Sequence, residues 1–386
     1  MNTHDIIIIG GGPSGLSTAL HLVKGFPHLT YRILILEKSR YPRPKLCAGG
    51  LVIDAEILLQ RLGLDVSEVP HVDADLIRFN FEATGLSIRV PRRHALRIIR
   101  RDEFDCWLAR KAETGGVEIR EGITVKGVFP GQEGVLVKTD QGDFHAQVAV
   151  GADGSNGITR RCLFPNASVH TARVLEVITP LFKPNDLSKR RDCAYFDFSP
   201  VQDNIAGYIW DFPTQIRGEA MRCWGIYDTN ILADEERPPL KEPLAKEMSR
   251  FGLDLNNYEI KGHPIRWFSP ENRMSVPRVL LVGDAAGSDP FLGEGISIAL
   301  GYGALAAREI GEAFAKNDFL FSKYKYRILT SSLGQTLFSR WVLTHVIYPL
   351  KWKWFQILVW RILKPVVVLF AWLFVLNWGK RMPSTL

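Results

Sequence analysis

The sequence predicts an α/β fold with a Rossmann-like domain, a mixed or antiparallel β-sheet inserted into it, and a helical C-terminal tail. Two glycine-rich segments, residues 5–15 and 279–287, predict the Rossmann-like part. Each has the pattern of a buried strand that breaks into a glycine turn and then opens a helix. Short strand patterns separated by turns lie between the two segments and predict the inserted sheet. A basic, tryptophan-rich stretch over residues 336–386 predicts the tail.

The first segment has the features of a dinucleotide-binding turn. Residues 6–9 are an unbroken run of isoleucine, as in a strand that is buried on both faces of a parallel sheet. Gly10, Gly12 and Gly15 follow with the G-x-G-x-x-G spacing, which allows a tight turn, a close approach to pyrophosphate, and tight packing of helix on strand. The helix predicted over residues 13–24 would direct free N–H groups at the phosphates.

An acidic residue follows at the expected distance. A second strand is predicted over residues 31–36, with Glu37 at its end, where a carboxylate binds a ribose 2′-hydroxyl and disfavours a 2′-phosphate. The first motif alone does not separate NAD from FAD. The second glycine segment, almost the whole chain away, suggests one long cofactor held at both ends by one domain, which points to FAD.

Several further motifs carry a family resemblance. The chain resembles the geranylgeranyl reductase family, within the larger class of flavoproteins shaped like p-hydroxybenzoate hydroxylase. The likeness covers about residues 1–330, and Ala48 departs from it by standing where the family usually has glycine. The segments that carry it are the Cys loop at residues 42–51, Arg-x-x-Phe-Asp at 101–105, Gly-Ala-Asp-Gly-Ser at 151–155, Tyr-x-Trp-x-Phe-Pro at 208–213, and the Gly-Asp segment at 283–296.

The resemblance implies a set of residues that bind FAD. Arg101 would neutralise the pyrophosphate, since a guanidinium suits that charge. Asp284 would accept a hydrogen bond from the ribityl chain or the ribose. The helix that opens at residues 293–296 would direct N–H groups at the flavin N1–C2 carbonyl and stabilise anionic reduced flavin. The full set is Gly10, Gly12, Pro13, Ser14, Gly15, Glu37, Lys38, Arg101, Asp153, Gly283, Asp284, Pro290, Gly293, Gly295 and Ile296.

The resemblance also implies an enzyme that saturates carbon–carbon double bonds in prenyl chains on lipids, quinones or pigments. Tyr208, Trp210 and Phe212 alternate along a strand and therefore share one face, as in an aromatic wall beside the flavin or an ordinary aromatic core. Cys47 is predicted to line the substrate pocket. The alternative is that Cys47 is buried and chemically inert. These four residues are the candidate catalytic residues.

Composition and cysteine usage exclude some classes of protein. The five cysteines are odd in number, scattered and without C-x-x-C spacing, which indicates a reducing compartment and no metal site. The chain enters its first strand almost at once, so we expect no signal peptide and a cytoplasmic location. No recognisable nucleic-acid module is present.

The whole chain has a net charge of +7, and its basic character belongs to the tail. Ten of the 48 Lys and Arg follow Asp318, and no Asp or Glu does. Six of the ten Trp lie in the same stretch, a composition typical of a membrane interface. The longest uncharged run there, residues 365–378, is shorter than the ~20 residues of a perpendicular span, so an in-plane or re-entrant helix is favoured over a span. We expect the tail to contact a membrane surface peripherally. The alternatives are that its helices cover the flavin domain or that they form a dimer interface.

The motifs divide the chain into interleaved parts. Residues 1–69, 99–167 and 269–335 are predicted to form a discontinuous FAD-binding domain, and 70–98 with 168–268 a substrate-binding sheet. A meander is predicted over residues 117–150, with strands at 117–120, 124–129, 134–139 and 143–150.

Alternatives stay open at this point. Monooxygenases (hydroxylases, epoxidases, halogenases) and lycopene-cyclase relatives share the flavin motifs, and a non-enzymatic flavoprotein that binds isoprenoids would carry them too. No second nucleotide fingerprint occurs, so the electron donor is either NAD(P)H bound transiently or a ferredoxin.

Overall fold

The computed structural model describes residues 2–82, 84–181, 190, 192–232, 238–370, 372 and 376–383. The strands of this part are β1 (Asn2–Ile9), β2 (Ile33–Glu37), β3 (Gly50–Leu51), β4 (His71–Ala74), β5 (Leu76–Phe81), β6 (Thr84–Arg89), β7 (Leu96–Ile99), β8 (Glu118–Glu121), β9 (Val125–Pro130), β10 (Val135–Thr139), β11 (Gly142–Gly151), β12 (Thr171–Pro180), β13 (Cys193–Asp197), β14 (Gly207–Ile216), β15 (Glu219–Asp228), β16 (Lys261–Arg266), β17 (Ser275–Val276) and β18 (Val279–Leu281).

The helices complete the inventory of regular structure. They are α1 (Pro13–Gly25), α2 (Ile53–Arg61), α3 (Arg101–Thr114), α4 (Ile158–Leu163), α5 (Lys241–Ser249), α6 (Ile296–Lys316), α7 (Tyr324–Thr330), α8 (Ser332–Ile347), α9 (Lys353–Ile357), α10 (Lys364–Phe370) and α11 (Trp378–Arg381), with a π-helical turn at Leu358–Ile362.

The largest sheet is the Rossmann-like layer that the sequence predicts. Its strand order is β17-β18-β11-β1-β2-β8, and β1 lies parallel to both β11 and β2. The isoleucines of β1 are buried on both faces of the sheet. Helices α1 and α6 pack closely, since a Cβ on Gly303 of α6 would lie 2.4 Å from the Ser17 Oγ of α1. The α/β class is therefore confirmed.

The predicted four-stranded meander is wrong at its first strand. β8 pairs in parallel with β2, at the end of the main sheet, while β9, β10 and β11 pair as consecutive antiparallel neighbours. Helix α3 precedes β8 and returns the chain to the sheet, so β2 and β8 meet side by side. A parallel partner that is distant in sequence replaces the adjacent one that the turn pattern favours.

A seven-stranded mixed sheet has the order β16-β12-β15-β14-β13-β5-β6. Its pairs are antiparallel except for β13 with β5. From the predicted segment 70–98, β5 and β6 join this sheet, whereas β4 and β7 pair with β3 in a separate three-stranded sheet. That small sheet follows the loop that carries Cys47.

The tail is a series of short helices that pack against the rest of the molecule. The predicted boundary after residue 335 falls inside α8, a continuous helix. Trp378 in α11 is fully buried, and a Cβ on Gly301 of α6 would lie 2.6 Å from its ring. Asp54 of α2 accepts hydrogen bonds from the backbone of Asn377 at 3.0 Å and of Gly379 at 2.8 Å.

Among the described helices, none combines the length and the hydropathy needed to cross a bilayer. Residues 371 and 373–375 of the uncharged run at 365–378 lie outside the described part of the chain.

Candidate functional site

The first glycine turn connects β1 to α1 and leaves the helix N-terminus open. Gly10 has φ of +106°, and a Cβ there would lie 2.4 Å from the Ala152 carbonyl oxygen. A Cβ on Gly15 would lie 2.1 Å from the Gly10 carbonyl oxygen, so both positions require glycine. At Gly12, which precedes the helix, no side chain caps the free N–H groups. This turn can therefore receive an anion.

Glu37 lies beside this turn at the end of β2. Its Oε2 accepts from the Gly11 N–H at 2.8 Å and its Oε1 accepts from the Ser39 N–H at 2.9 Å. The carboxylate thus holds the glycine turn in place, and it lines the same cavity as Lys38. Its predicted contact with a ribose hydroxyl stays a prediction.

Two arginines near this turn share one buried carboxylate, that of Asp105. Arg101 forms a two-pronged ion pair with the buried Asp105, at 2.8 and 2.9 Å. Arg43 shares that carboxylate, with Nη2 at 3.1 Å from Asp105 Oδ2 and 3.4 Å from the Gly11 carbonyl oxygen. The buried Arg43 Nε has no hydrogen-bond partner among the described residues. Arg43 is not among the predicted cofactor residues, and its place in the Cys loop at residues 42–51 was the available signal for it.

The second glycine segment meets the first. A Cβ on Gly283, whose φ is +57°, would lie 2.6 Å from the Ser14 Oγ, so the two turns are in contact across the domain. Asp284 accepts a hydrogen bond from the Ser155 hydroxyl at 3.2 Å. Asp153 accepts from Thr159, while its other oxygen has no partner among the described residues. The two ends that the sequence assigned to one cofactor are therefore neighbours.

The loop before α6 is held by buried ion pairs. Arg340 of α8 donates to Asp289 at 2.8 Å and to Glu294 at 3.3 Å. Tyr227 donates its hydroxyl hydrogen to the Pro290 carbonyl at 3.0 Å. Gly295 has no side chain that could cap α6, but Glu294 Oε1 accepts the Ser297 N–H in the first turn at 2.8 Å. The N-terminus of α6 therefore borders the cavity with one of its N–H groups already bound by Glu294.

An aromatic wall lies opposite these turns. Tyr208, Trp210 and Phe212 are buried along one face of β14 and line the cavity. Phe196 packs against two of them, with ring centroids 5.2 Å from Tyr208 and 5.0 Å from Phe212. Trp360 from the tail extends the wall, at 4.8 Å from the Phe198 ring.

Cys47 lies on the loop between β2 and β3, where that loop borders the cavity. Its Sγ accepts from the Gly49 N–H at 3.4 Å. Burial raises the pKa of the thiol, and the neighbouring Arg101 opposes the rise. The group is therefore a neutral thiol at neutral pH.

Lys45 and His263 form a polar pair in the cavity that the sequence reasoning missed. Lys45 Nζ donates to His263 Nε2 at 2.8 Å. Burial and the Lys45 charge lower the pKa of His263 to about 4, so the imidazole is neutral and accepts this bond. Burial lowers the pKa of Lys45 as well. Their sequence separation of 218 residues left no pattern to detect.

One cavity of about 1410 Å³ joins these features. The four candidate catalytic residues line it, and so do most of the predicted cofactor residues: Gly10, Gly12, Pro13, Ser14, Glu37, Lys38, Arg101, Asp153, Asp284, Gly293, Gly295 and Ile296. The remaining three predicted cofactor residues do not line the cavity but belong to the turns and the loop that border it: Gly15, Gly283 and Pro290.

The residues present fit FAD. Among the described residues, Arg43 Nε makes no hydrogen bond and lies 3.6 Å from Glu37 Oε2 beside the glycine turn, and one oxygen of Asp153 has no hydrogen-bond partner. A Cβ on Gly12 would meet Arg43 Nη2 at 3.5 Å and nothing nearer, so the cradle is open on that side. Helix N-termini lie at both turns: that of α1 is uncapped and can bind an anion, and that of α6 has its Ser297 N–H bound by Glu294.

Comparisons with known proteins agree with this geometry. A family model described as an FAD binding domain matches residues 3–312. The digeranylgeranylglycerophospholipid reductase of Thermoplasma acidophilum is 25% identical over 375 residues, which cover 89% of this chain and 87% of that protein.

Two solved structures bear on the fold. A geranylgeranyl bacteriochlorophyll reductase-like protein from Thermoplasma acidophilum superposes with a TM-score of 0.73 at 22% identity, over 89% of this chain and 87% of the other. A mutant of the halogenase PltM in complex with FAD superposes with a TM-score of 0.68 at 16% identity, over 89% of this chain and 76% of that one. The chain belongs to the FAD binding domain family and is an FAD-dependent oxidoreductase with the fold of geranylgeranyl reductase-like proteins.

Proposed function

We propose that this protein reduces carbon–carbon double bonds in a geranylgeranyl-type chain of a lipid, at a membrane surface. The observation that carries the proposal is the single cavity, which runs from the cofactor turns past the aromatic wall to the C-terminal tail. The digeranylgeranylglycerophospholipid reductase named above supports the substrate class.

The far part of the cavity suits a long apolar chain. Its lining there comes from the mixed sheet and from the tail: Ile77, Phe79, Leu86, Ile88, Phe355, Val359, Trp360, Leu363, Val366 and Trp372. An unactivated alkene has no carbonyl group to polarise, so binding depends on a dry and closely shaped apolar site. The tail therefore contributes to substrate binding in this proposal, besides covering the sheet.

Each group of residues has a part in the reaction. When bound, FAD supplies the hydride for one alkene carbon. The N-termini of α1 and α6 hold the cofactor by their N–H groups. Tyr208, Trp210 and Phe212 exclude water and orient the prenyl chain, and the neutral Cys47 thiol packs beside it. Electrons come from a donor of the nicotinamide or ferredoxin class.

Membrane contact is proposed for the exposed side chains of the tail, two of which, Val366 and Trp372, also line the cavity at its tail end. Trp354 and Trp372 are 64% and 59% exposed, and Ile362, Val366 and Leu369 are exposed near them. Lys364, Lys380 and Arg381 lie in the same part of the chain. Exposed aromatic and basic groups together bind the interface of an anionic bilayer. A lipid substrate would then enter the cavity at its tail end.

Flotation with phosphatidylglycerol vesicles tests the membrane contact. We expect the wild-type protein to float with the vesicles and the double variant W354E/W372E to stay behind. F129E is the matched control, because Phe129 is 49% exposed but lies far from the tail in sequence, on β9. Equal flotation of all three proteins would refute the role of the tail.

Anaerobic turnover tests the reaction. The protein, reduced with dithionite, is mixed with a geranylgeranylated glycerophospholipid, and we expect product masses to rise in steps of two hydrogens. The similarity of fold to a halogenase favours a monooxygenase as the second candidate. A monooxygenase would leave the lipid unchanged without oxygen, and that result would reject the proposed reduction.

A further inference from the structure

We propose that Glu176 is the proton donor of this reaction, and that its Oε2 delivers the proton to the alkene carbon that does not receive the hydride. This assignment rests on the proposed function and adds to it a residue that the motifs did not indicate. Reduction of an isolated double bond needs one such donor in a site from which water is excluded.

The register of the mixed sheet places Glu176 beside the aromatic wall. Glu176 on β12 lies opposite Gly225 on β15, and Gly225 lies opposite Trp210 on β14. Because Gly225 has no side chain, the Trp210 ring lies across it; a Cβ there would be 2.0 Å from Trp210 Cζ2. Glu176 is thus the next side chain along the row after the ring of Trp210.

Glu176 is buried and only partly satisfied. It is 5% exposed and lines the cavity together with Val174 and Cys47. Its Oε2 has no hydrogen-bond partner among the described residues. A buried carboxyl oxygen without a partner is costly, which indicates that it serves a ligand or a reaction.

The other acidic side chains of the cavity are engaged elsewhere. Glu37 holds the first glycine turn, Glu294 pairs with Ser297 and Arg340, and Asp284 accepts from Ser155. Asp153 has a free oxygen, but that oxygen lies 2.2 Å from where a Cβ of Gly157 would be, on the side of the cofactor turn.

The tyrosines of the wall are also committed. Tyr208 donates its hydroxyl hydrogen to the Leu292 carbonyl and Tyr227 donates to the Pro290 carbonyl. Burial raises the pKa of both phenols, so neither releases a proton readily.

The surroundings keep Glu176 partly protonated at neutral pH. Burial raises its pKa to about 7. The charges of Arg100 and Lys261 and hydrogen bonding from the Cys223 thiol and the Cys47 amide oppose the rise. A general acid works best with a pKa near the operating pH, and Glu176 meets that condition.

The proton and electron balance closes. One alkene carbon takes the hydride with its two electrons, and the π pair forms the second C–H bond with the proton of Glu176. The O–H bond of Glu176 breaks, the alkene is reduced and the flavin is oxidised. The carboxylate then recovers a proton from water. A hydride from a nicotinamide donor, or two electrons from ferredoxin with a proton from water, would restore the reduced flavin.

Single-turnover kinetics test the assignment. E176Q keeps the shape of the side chain but cannot donate a carboxyl proton. We expect E176Q to bind FAD and to be reduced by dithionite normally. Its reoxidation by a geranylgeranylated glycerophospholipid should be slower by about 10²–10⁴-fold. The wild-type rate should fall as pH rises through about 7, because the acid form is lost, and the E176Q rate should be flat. E219Q is the control, since Glu219 is exposed at the start of β15 in the same sheet.

An infrared titration gives a readout that is independent of turnover. In the FAD-free protein, a protonated-carboxyl C=O band should titrate near pH 7, persist in E219Q and be absent from E176Q. Reoxidation of E176Q at the wild-type rate, or persistence of the band in E176Q, would overturn the assignment while the reductase function stands. A wild-type protein that leaves the lipid unsaturated would overturn the proposed function and this assignment with it.

Discussion

Replacing Arg340 tests how the tail supports the cofactor site. Arg340 lies on α8 with its side chain 2% exposed, and it connects the tail to the loop before α6 through Asp289 and Glu294. In R340M the side chain keeps much of its length but loses its charge. Two buried carboxylates would then face each other without their shared cation.

The expected magnitude follows from burial. Breaking a buried ion pair by removing one partner costs about 3–5 kcal/mol, because the remaining charge stays buried and uncompensated. Asp289 is fully buried and Glu294 nearly so, which places this pair in that class. We expect the free energy of unfolding of R340M to fall by about that amount at pH 7.

The loss should depend on pH in a defined direction. Burial raises the pKa of Glu294, and the Arg340 charge opposes the rise. Removal of Arg340 therefore raises this pKa further. A carboxyl group whose pKa is higher in the folded protein than in the unfolded chain destabilises the fold as pH rises. The free energy of unfolding therefore falls as pH rises above the unfolded-state pKa of 4.5. The deficit of R340M should grow with pH above that value and shrink in acid.

Urea unfolding of the FAD-free protein, followed by tryptophan fluorescence at several pH values, measures this effect. R308M is the matched control: Arg308 pairs with Glu312 at 3.0 Å but is 44% exposed, and such surface pairs contribute about 0.2–1 kcal/mol. A loss in R340M no larger than in R308M, or one that does not vary with pH, would refute the reasoning.

Three further predictions follow from single contacts. R43A should weaken FAD binding about 10–100-fold by fluorescence titration, since a charge-assisted hydrogen bond contributes about 1.5–3 kcal/mol, whereas R40A at an exposed site should bind normally. G225A should lower stability by about 1–3 kcal/mol in thermal unfolding, because its Cβ would lie 2.0 Å from the Trp210 ring, while G131A in an exposed turn should be near neutral. Hydrogen bonding from Arg327 lowers the pKa of Glu312 to about 2. In thermal melts, E312Q should therefore be less stable than wild type above pH 4.5, and the difference should disappear as pH falls through about 2. A difference in stability that stays constant across that range would contradict this prediction.

Local motifs could be predicted because their physics is local. The isoleucine run of β1 and the spacing of Gly10, Gly12 and Gly15 define a buried strand and its turn without reference to the rest of the chain. The alternation of Tyr208, Trp210 and Phe212 likewise defines one face of a strand. The structure has each of these features.

Pairing between distant segments could not be read in the same way. The turn pattern favoured β8 as the neighbour of β9, but α3 carries β8 back to β2. Residues 70–98 likewise divide between two sheets, because each strand pairs where an edge is available to it. Strand propensity alone does not choose a partner.

The sequence by itself determined the α/β class, the two glycine turns and the basic, aromatic character of the tail, because composition and short spacings act within a few residues. The tertiary structure alone decided which side chains meet. Arg43 reaches the Asp105 carboxylate on α3, Lys45 meets His263, and Glu176 lies next to Trp210 through the gap at Gly225. These contacts join residues that are far apart in the chain, and they depend on sheet register and burial, which no short pattern encodes.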